Sequence, residues 1–245
     1  MTPETLLVLT AAIFVVAVLY ASVGHGGASG YIAVMALCGL APALLKPTAL
    51  LLNLVVSACA AGLFARAGHF RWRLFWPFAI TSIPASWLGG YLTLPPHLYR
   101  PLLGVTLLLA ALRLVMQLRV SDRQLCLPPL GAALLIGACF GLLSGLTGIG
   151  GGIFLSPLLL ICNWGRAREV SGVAALFILV NSAAGLLGHL GHWQELPGFI
   201  PQLAVAALAG GLLGATLGSS RLPVRRLVQG LSLVLILAGA KLILL

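Results

Sequence analysis

The chain has 245 residues, 60 % of them hydrophobic and only 7 % charged, against roughly a quarter charged in soluble domains. Its formal net charge of +10 does not point to nucleic acid, because the basic residues sit in short loops between apolar runs, with no basic stripe and no aromatic-interleaved patch. Composition therefore excludes a soluble globular domain and a nucleic-acid binder, and leaves an all-α polytopic protein of the cell (inner) membrane.

In chain order, the first half carries apolar stretches at about 6–23, 30–40, 48–64, 74–92 and 98–118. Only Glu4, and no basic residue, precedes the first stretch, which fits a retained helix rather than a cleaved signal peptide. The first two stretches are joined by "SVGHGGASGYI". The second half repeats the pattern at 130–146, 153–161, 170–187, 199–217 and 227–244, and its first two stretches are joined by "GLTGIGGGIFLSPLLL". In each half the second stretch is short. At about 1.5 Å per residue it cannot cross a ~30 Å hydrocarbon core unaided.

The two halves align. Gly24-His25-Gly26-Gly27 matches Gly148-Ile149-Gly150-Gly151, Gly62 matches Gly185, and Gly68-His69-Phe70 matches Gly191-His192-Trp193. Pro77, Gly90 and Gly104 match Pro201, Gly214 and Gly230. The offset stays within a few residues of 124, in the same order throughout. This divides the chain into a first transmembrane repeat (1–120), a cytoplasmic linker (121–128) and a second repeat (129–245).

Basic residues set the topology. If every stretch changes side, one side collects Arg66, Arg71, Arg73, Arg119, Arg123, Arg166, Arg168, Arg221, Arg225 and Arg226, and the other keeps Lys46, Arg100 and Lys241, with Arg113 inside the fifth stretch left out. Such an asymmetry marks a cytoplasmic face, and it vanishes if the short stretches are re-entrant. The expectation is ten crossings with both termini extracytoplasmic. Five crossings per half put the two repeats in opposite orientations. Inverted repeats with short, glycine-interrupted segments at matching positions are a sequence pointer to a secondary transporter.

Glycine-rich breaks at membrane depth are tolerated only where the backbone is buried in protein or lines a cavity. A helix that starts after such a break offers N–H groups and the positive end of its dipole, and glycine lets an anion approach closely. The candidates are Gly24, His25, Gly26, Gly27 and Ser29 in the first copy, and Thr147, Gly148, Gly150, Gly151, Gly152 and Ser156 in the second. Helix packing is the alternative use of small residues, and Gly137, Gly141 and Gly145 at four-residue spacing fit it. Asn53, Asn181 and Ser182 are further candidates, weighed against structural hydrogen bonding.

Only four acids occur, Glu4, Asp122, Glu169 and Glu195, all at segment ends or in loops, so no intramembrane carboxylate relay is expected. His25 is the ionisable group in a glycine loop and a candidate proton carrier. The five histidines and five scattered cysteines form no metal-ligand spacing, and neither metal nor cofactor is expected. The cysteines read as small buried hydrophobes. The tryptophans lie mostly near segment ends, as interface anchors do.

The "GLTGIGGGIFLSPLLL" run resembles the signature of the TauE/SafE, or sulfite-exporter, family, and "SVGHGGASGYI" and "ARAGHFRWRL" fit the same pattern over nearly the whole chain. The resemblance implies transport of sulfite, sulfoacetate or a related organosulfonate, coupled to protons. It places the family's glycine motif on Gly148, Gly150, Gly151, Gly152 and Pro157. The first copy departs from the motif, with His25 in place of an apolar residue and Ala28 and Ala33 where the second has Gly152 and Pro157. The leading expectation is a secondary transporter of a small sulfur-containing anion working by alternating access. An anion channel using the same helix N-termini is the alternative. A membrane enzyme lacks a catalytic constellation, and a scaffold leaves the paired breaks unexplained. The partners are the small anion and the lipid bilayer. The oligomeric state is left open, with a homodimer as one reading.

Overall fold

The computed structural model describes residues 2–22, 24–116, 125–190 and 197–219, together with 236 and 240. Apart from 236 and 240, the last expected stretch, 227–244, lies outside these residues, as do Arg119, Arg123, His192, Trp193, Glu195, Arg221, Arg225 and Arg226. The described residues form nine helices and no strand: α1 (Pro3–Ser22), α2 (Ala28–Leu37), α3 (Pro42–Arg66), α4 (Trp72–Tyr91), α5 (Pro96–Met116), α6 (Leu130–Thr147), α7 (Gly152–Ile161), α8 (Ala167–His189) and α9 (Ile200–Ser219). Among them α1, α3, α6, α8 and most of α9 are long and apolar enough to cross a membrane. α2 and α7 are ten residues each, about 15 Å, half a hydrocarbon core.

Two helix pairs carry the closest packing, and small residues explain both. A β-carbon on Gly137, Gly141 or Gly145 of α6 would run into the backbone carbonyls of Phe78, Ser82 and Ser86 on α4. On α9, one on Gly210 or Gly214 would run into the carbonyls of Phe14 and Val18 on α1. In both pairs small residues four apart let backbone meet backbone, where lipid gives no hydrophobic drive for association. Polar side chains add a stitch to each, Thr81 Oγ1 donating to the Leu134 carbonyl (2.7 Å) and Gln202 Nε2 to Thr10 Oγ1 (3.1 Å).

The buried side chains fall mainly into two clusters. One draws on α1, α2, α3, α5 and α9, the other on α4, α6, α7 and α8. Each half therefore lends its fourth helix to the other half's core. Ile149 and Ile153, from the second glycine-rich segment, also join the first cluster. α3 and α8 pack on each other and are the most buried of the long apolar helices. Large apolar side chains such as Leu7, Val8, Ile80, Leu109, Leu135 and Val205 point outward, the inverse of a soluble protein and suited to lipid.

Two sequence expectations are corrected. None of the cysteines is fully buried, and Cys126 and Cys139 are exposed. On α6, Cys139 shares the outward, apolar side with Leu135, where an apolar thiol is tolerated without burial in protein. Trp164 is buried against Phe78 (6.1 Å between ring centroids) instead of sitting outward like Trp72, Trp76 and Trp87.

Candidate functional site

α1 stops because Gly24 turns left-handed (φ +75°). Its N–H donates to the Ala21 carbonyl (3.0 Å) and that of His25 to the Tyr20 carbonyl (2.9 Å), which closes the helix end in a Schellman motif. His25 and Gly26 follow, and Gly27, again left-handed, caps α2. In the second copy Gly148 closes α6, and Gly150 and Gly151 (φ +83° and +73°) lead into α7. Residues 24–30 and 147–153 are all buried.

The two loops meet on the same two side chains. A β-carbon on Gly26 would strike the Asn53 carboxamide and Ile178 Cγ2; one on Gly150 would strike Asn53 Nδ2 (2.6 Å), Ile178 Cγ2 (2.9 Å) and Ser182 Oγ (3.1 Å). Asn53 and Ile178 each stand eleven residues after the first residue of their helices, from Pro42 to 53 and from Ala167 to 178. The loops thus sit near mid-length of α3 and α8. Asn53 joins them directly. Its Oδ1 accepts from the Ala28 N–H (3.0 Å), and its Nδ2 donates to the Ile149 carbonyl (3.2 Å) and to Ser182 Oγ (3.4 Å). An acceptor facing an N–H and donors facing a carbonyl fix the orientation of the amide.

Beside this junction lies a cavity with room for about one water. Tyr20, His25 and Ser29 line it with the backbone of the first loop, together with Ile149, Ile153 and Ile178. Tyr20 Oη and Ser29 Oγ are 2.6 Å apart. Tyr31 Oη, wholly buried and without a hydrogen-bond partner among the described residues, would lie 2.7 Å from a β-carbon on Gly27. The described carboxylates lie elsewhere: Glu4 is in the first turn of α1, and Glu169 pairs with Arg71 (3.2 Å). No group of histidine, cysteine and carboxylate suited to a metal occurs among the described residues. Hydroxyls, an imidazole and the N-terminal end of a helix, with neither described carboxylate beside them, are groups chemically compatible with an anion.

The remaining candidates are placed differently. Asn181 ties α8 to α4: its Nδ2 donates to Ser82 Oγ (3.1 Å) and to the Phe177 carbonyl, while the Asn181 backbone carbonyl accepts from Ser86 Oγ (2.7 Å). Thr147 and Ser156 donate back to carbonyls of their own helices, Leu143 and Gly152. Gly152 abuts Ile178, Gly148 abuts Lys46, and Gly24 abuts Ser171. Sequence reading missed Tyr20, Tyr31 and the three isoleucines. It also left Lys46 on the surface, whereas the side chain is buried and its Nζ donates to the carbonyls of Gly89 (3.0 Å), Gly90 (3.0 Å) and Leu92 (3.3 Å) at the end of α4.

Comparison with known proteins follows the same lines. The sequence profile of the family described as "Sulfite exporter TauE/SafE" matches residues 9–242. "Probable membrane transporter protein y4hK" of Sinorhizobium fredii is 46 % identical over 96 % of this chain and 97 % of its own length. "Probable membrane transporter protein YjnA" of Bacillus subtilis is 29 % identical over 90 % of this chain and 92 % of its own. No solved structure matches the chain.

Proposed function

The chain belongs to the sulfite exporter TauE/SafE family, and from that premise we propose that it is a secondary transporter of a small sulfur-containing anion, such as sulfite, sulfoacetate or a related organosulfonate, working by alternating access. One observation carries the reading: two glycine-broken segments, one from each half, converge on Asn53 and Ile178 near mid-length of α3 and α8. Paired half-helix N-termini at the junction of two repeats are the transporter form of a helix-terminus anion site.

The inverted repeat is part of this proposal, and contacts that exchange partners support it. Gly148 abuts Lys46 while Gly24 abuts Ser171, and these two partners each stand four residues after the first residue of α3 or α8. α6 packs on α4 through glycines as α9 packs on α1. On this reading α2 and α7 complete crossings begun by the segments before them, the chain crosses ten times, and both termini are extracytoplasmic. The halves rock about the glycine loops, opening the junction to one side and then the other. His25, which lines the cavity, is the proposed proton carrier, because imidazole is the side chain that ordinarily titrates between pH 5 and 8.

The test is flux in proteoliposomes. Saturable uptake of labelled sulfite, accelerated by unlabelled sulfite on the opposite side, is the expected result. Unsaturable flux far above roughly 10³ s⁻¹ identifies a channel instead, and a junction with room for only about one water speaks against a standing pore. Replacing His25 with Gln should flatten the pH dependence of uptake between pH 5 and 8. An unchanged profile removes His25 from coupling.

A further inference from the structure

Resting on the transporter reading above, we propose that Lys46 is the fixed counter-charge of the junction, drawing the anion to the two glycine loops without touching it. Asn53, which joins the loops, stands seven residues further along α3, from 46 to 53, about 10 Å at helical rise. Lys46 also lies against the start of the second loop. A β-carbon on Gly148 would sit 3.1 Å from Lys46 Cα and 3.3 Å from its Cγ. Among the described side chains Lys46 is the one buried lysine or arginine. The described carboxylates give it no counter-ion, Glu169 being paired with Arg71 and Glu4 lying in the first turn of α1. A buried cation without a counter-ion leaves a net positive field, and away from bulk water that field reaches across such a distance.

Three contacts hold the charge in place. Nζ donates to the carbonyls of Gly89 (3.0 Å), Gly90 (3.0 Å) and Leu92 (3.3 Å). Three acceptors match the three N–H bonds of an ammonium, one more than a neutral amine can serve. α4 ends at Tyr91, so these carbonyls lie at the negative end of its dipole, where last-turn C=O groups lack helical donors. The residue four beyond Leu92 is Pro96, which has no N–H to give. The end of α4 is itself wedged. A β-carbon on Gly89 would meet the Leu142 carbonyl and the Leu146 nitrogen of α6, and one on Gly90 the Gly185 carbonyl of α8. The ammonium is therefore in position before the anion arrives, and binding requires no rearrangement to place it. The arrangement is one-sided. At the matching place in α8, four residues after its first, stands Ser171, whose Oγ donates to the Ala167 carbonyl of its own helix. Among the described side chains, the first repeat alone carries such a charge.

The test is sulfite uptake into proteoliposomes, with half-saturation concentration and maximal rate read separately. Lys46→Gln keeps N–H donors and loses the charge, whereas Lys46→Arg keeps both. Lys46→Gln should raise the half-saturation concentration about tenfold, as loss of a unit charge about 10 Å away does at an effective dielectric constant of about 20. Its maximal rate should stay within about twofold. Lys46→Arg, with the charge retained, should stay within about threefold of the unaltered protein in both. A staple acting through hydrogen bonds alone would move the melting temperature of the anion-free protein and leave the half-saturation concentration where it was. An unchanged half-saturation concentration in Lys46→Gln, or equal shifts in the Gln and Arg variants, overturns the counter-charge while leaving an anion transporter standing. Thr93, exposed beside Leu92, gives a variant that leaves the bonds of Lys46 untouched. Thr93→Asp should raise the half-saturation concentration about threefold over Thr93→Asn at low salt, and less at high salt. No difference between these two overturns the proposal even where Lys46→Gln fails to fold. Absence of saturable uptake by the unaltered protein overturns the transporter reading and this inference with it.

Discussion

At the scale of single residues, the junction depends on one carboxamide. Asn53 gives its oxygen to the N-terminal end of α2 and its nitrogen to the second loop and to α8, so one side chain satisfies backbone groups from both breaks. Asn53→Leu strands a buried N–H and a buried carbonyl and should cost about 3 kcal/mol of stability, read as a lower melting temperature in detergent. Asn53→Asp separates stability from function. It keeps the acceptor for Ala28 but sets a negative charge at the junction, so the protein should insert and fold while anion uptake falls at least about tenfold. Uptake at the unaltered rate in Asn53→Asp would remove Asn53 from the anion's surroundings. Gly150 makes the complementary case. Its left-handed backbone and its contacts with Asn53, Ile178 and Ser182 leave no space for a side chain, so Gly150→Leu should abolish uptake in a protein that still reaches the membrane.

At the scale of elements, the glycines have two separate uses. Those at four-residue spacing on α6 hold α4 at backbone contact, whereas those in the loops turn the chain. Gly145→Val should therefore loosen the α6–α4 pair, lowering stability by about 2 kcal/mol and the melting temperature by roughly 5 °C, whatever anion is present. An unchanged melting temperature would show that the pair can slide apart without cost. Most helices were legible in the sequence because apolar runs and glycine breaks are local signals. The bounds of α6 and α7 differ from the expected stretches by a single residue at most. α3 is the main discrepancy, starting at Pro42 and not near residue 48. Lys46-Pro47 reads as a loop from sequence, yet the helix opens on Pro42, where a proline is tolerated, and runs on through Pro47, and the ammonium finds its partner carbonyls more than forty residues away. Long-range partners of that kind leave no trace in a local pattern. The polar lining of the cavity was legible through His25 and Ser29. The apolar lining was not, because an isoleucine in a membrane helix carries no signal of its own.

At the scale of the whole molecule, each half completes its core with the fourth helix of the other. Such an exchange resists dissection, and either half expressed alone should fail to yield a folded, protease-resistant product, while co-expression of 1–120 with 121–245 should restore one. A stable isolated half would contradict the exchanged cores. The proposed ten-crossing topology has its own check: single cysteines introduced at residues 2 and 244 should both react with an impermeant maleimide added outside intact cells. Labelling of only one would show an odd number of crossings.

Lys46 also has an electrical consequence. A cation buried at the end of α4 and fastened to three of that region's carbonyls is a fixed charge that travels with the helix. An elementary charge carried across the whole membrane responds with about 2.3 kcal/mol per 100 mV, and a partial displacement in proportion. Rocking of α4 would then move current even when the cargo and any accompanying proton cancel each other's charge. The resting voltage of the cell would bias which side the protein faces before any anion arrives.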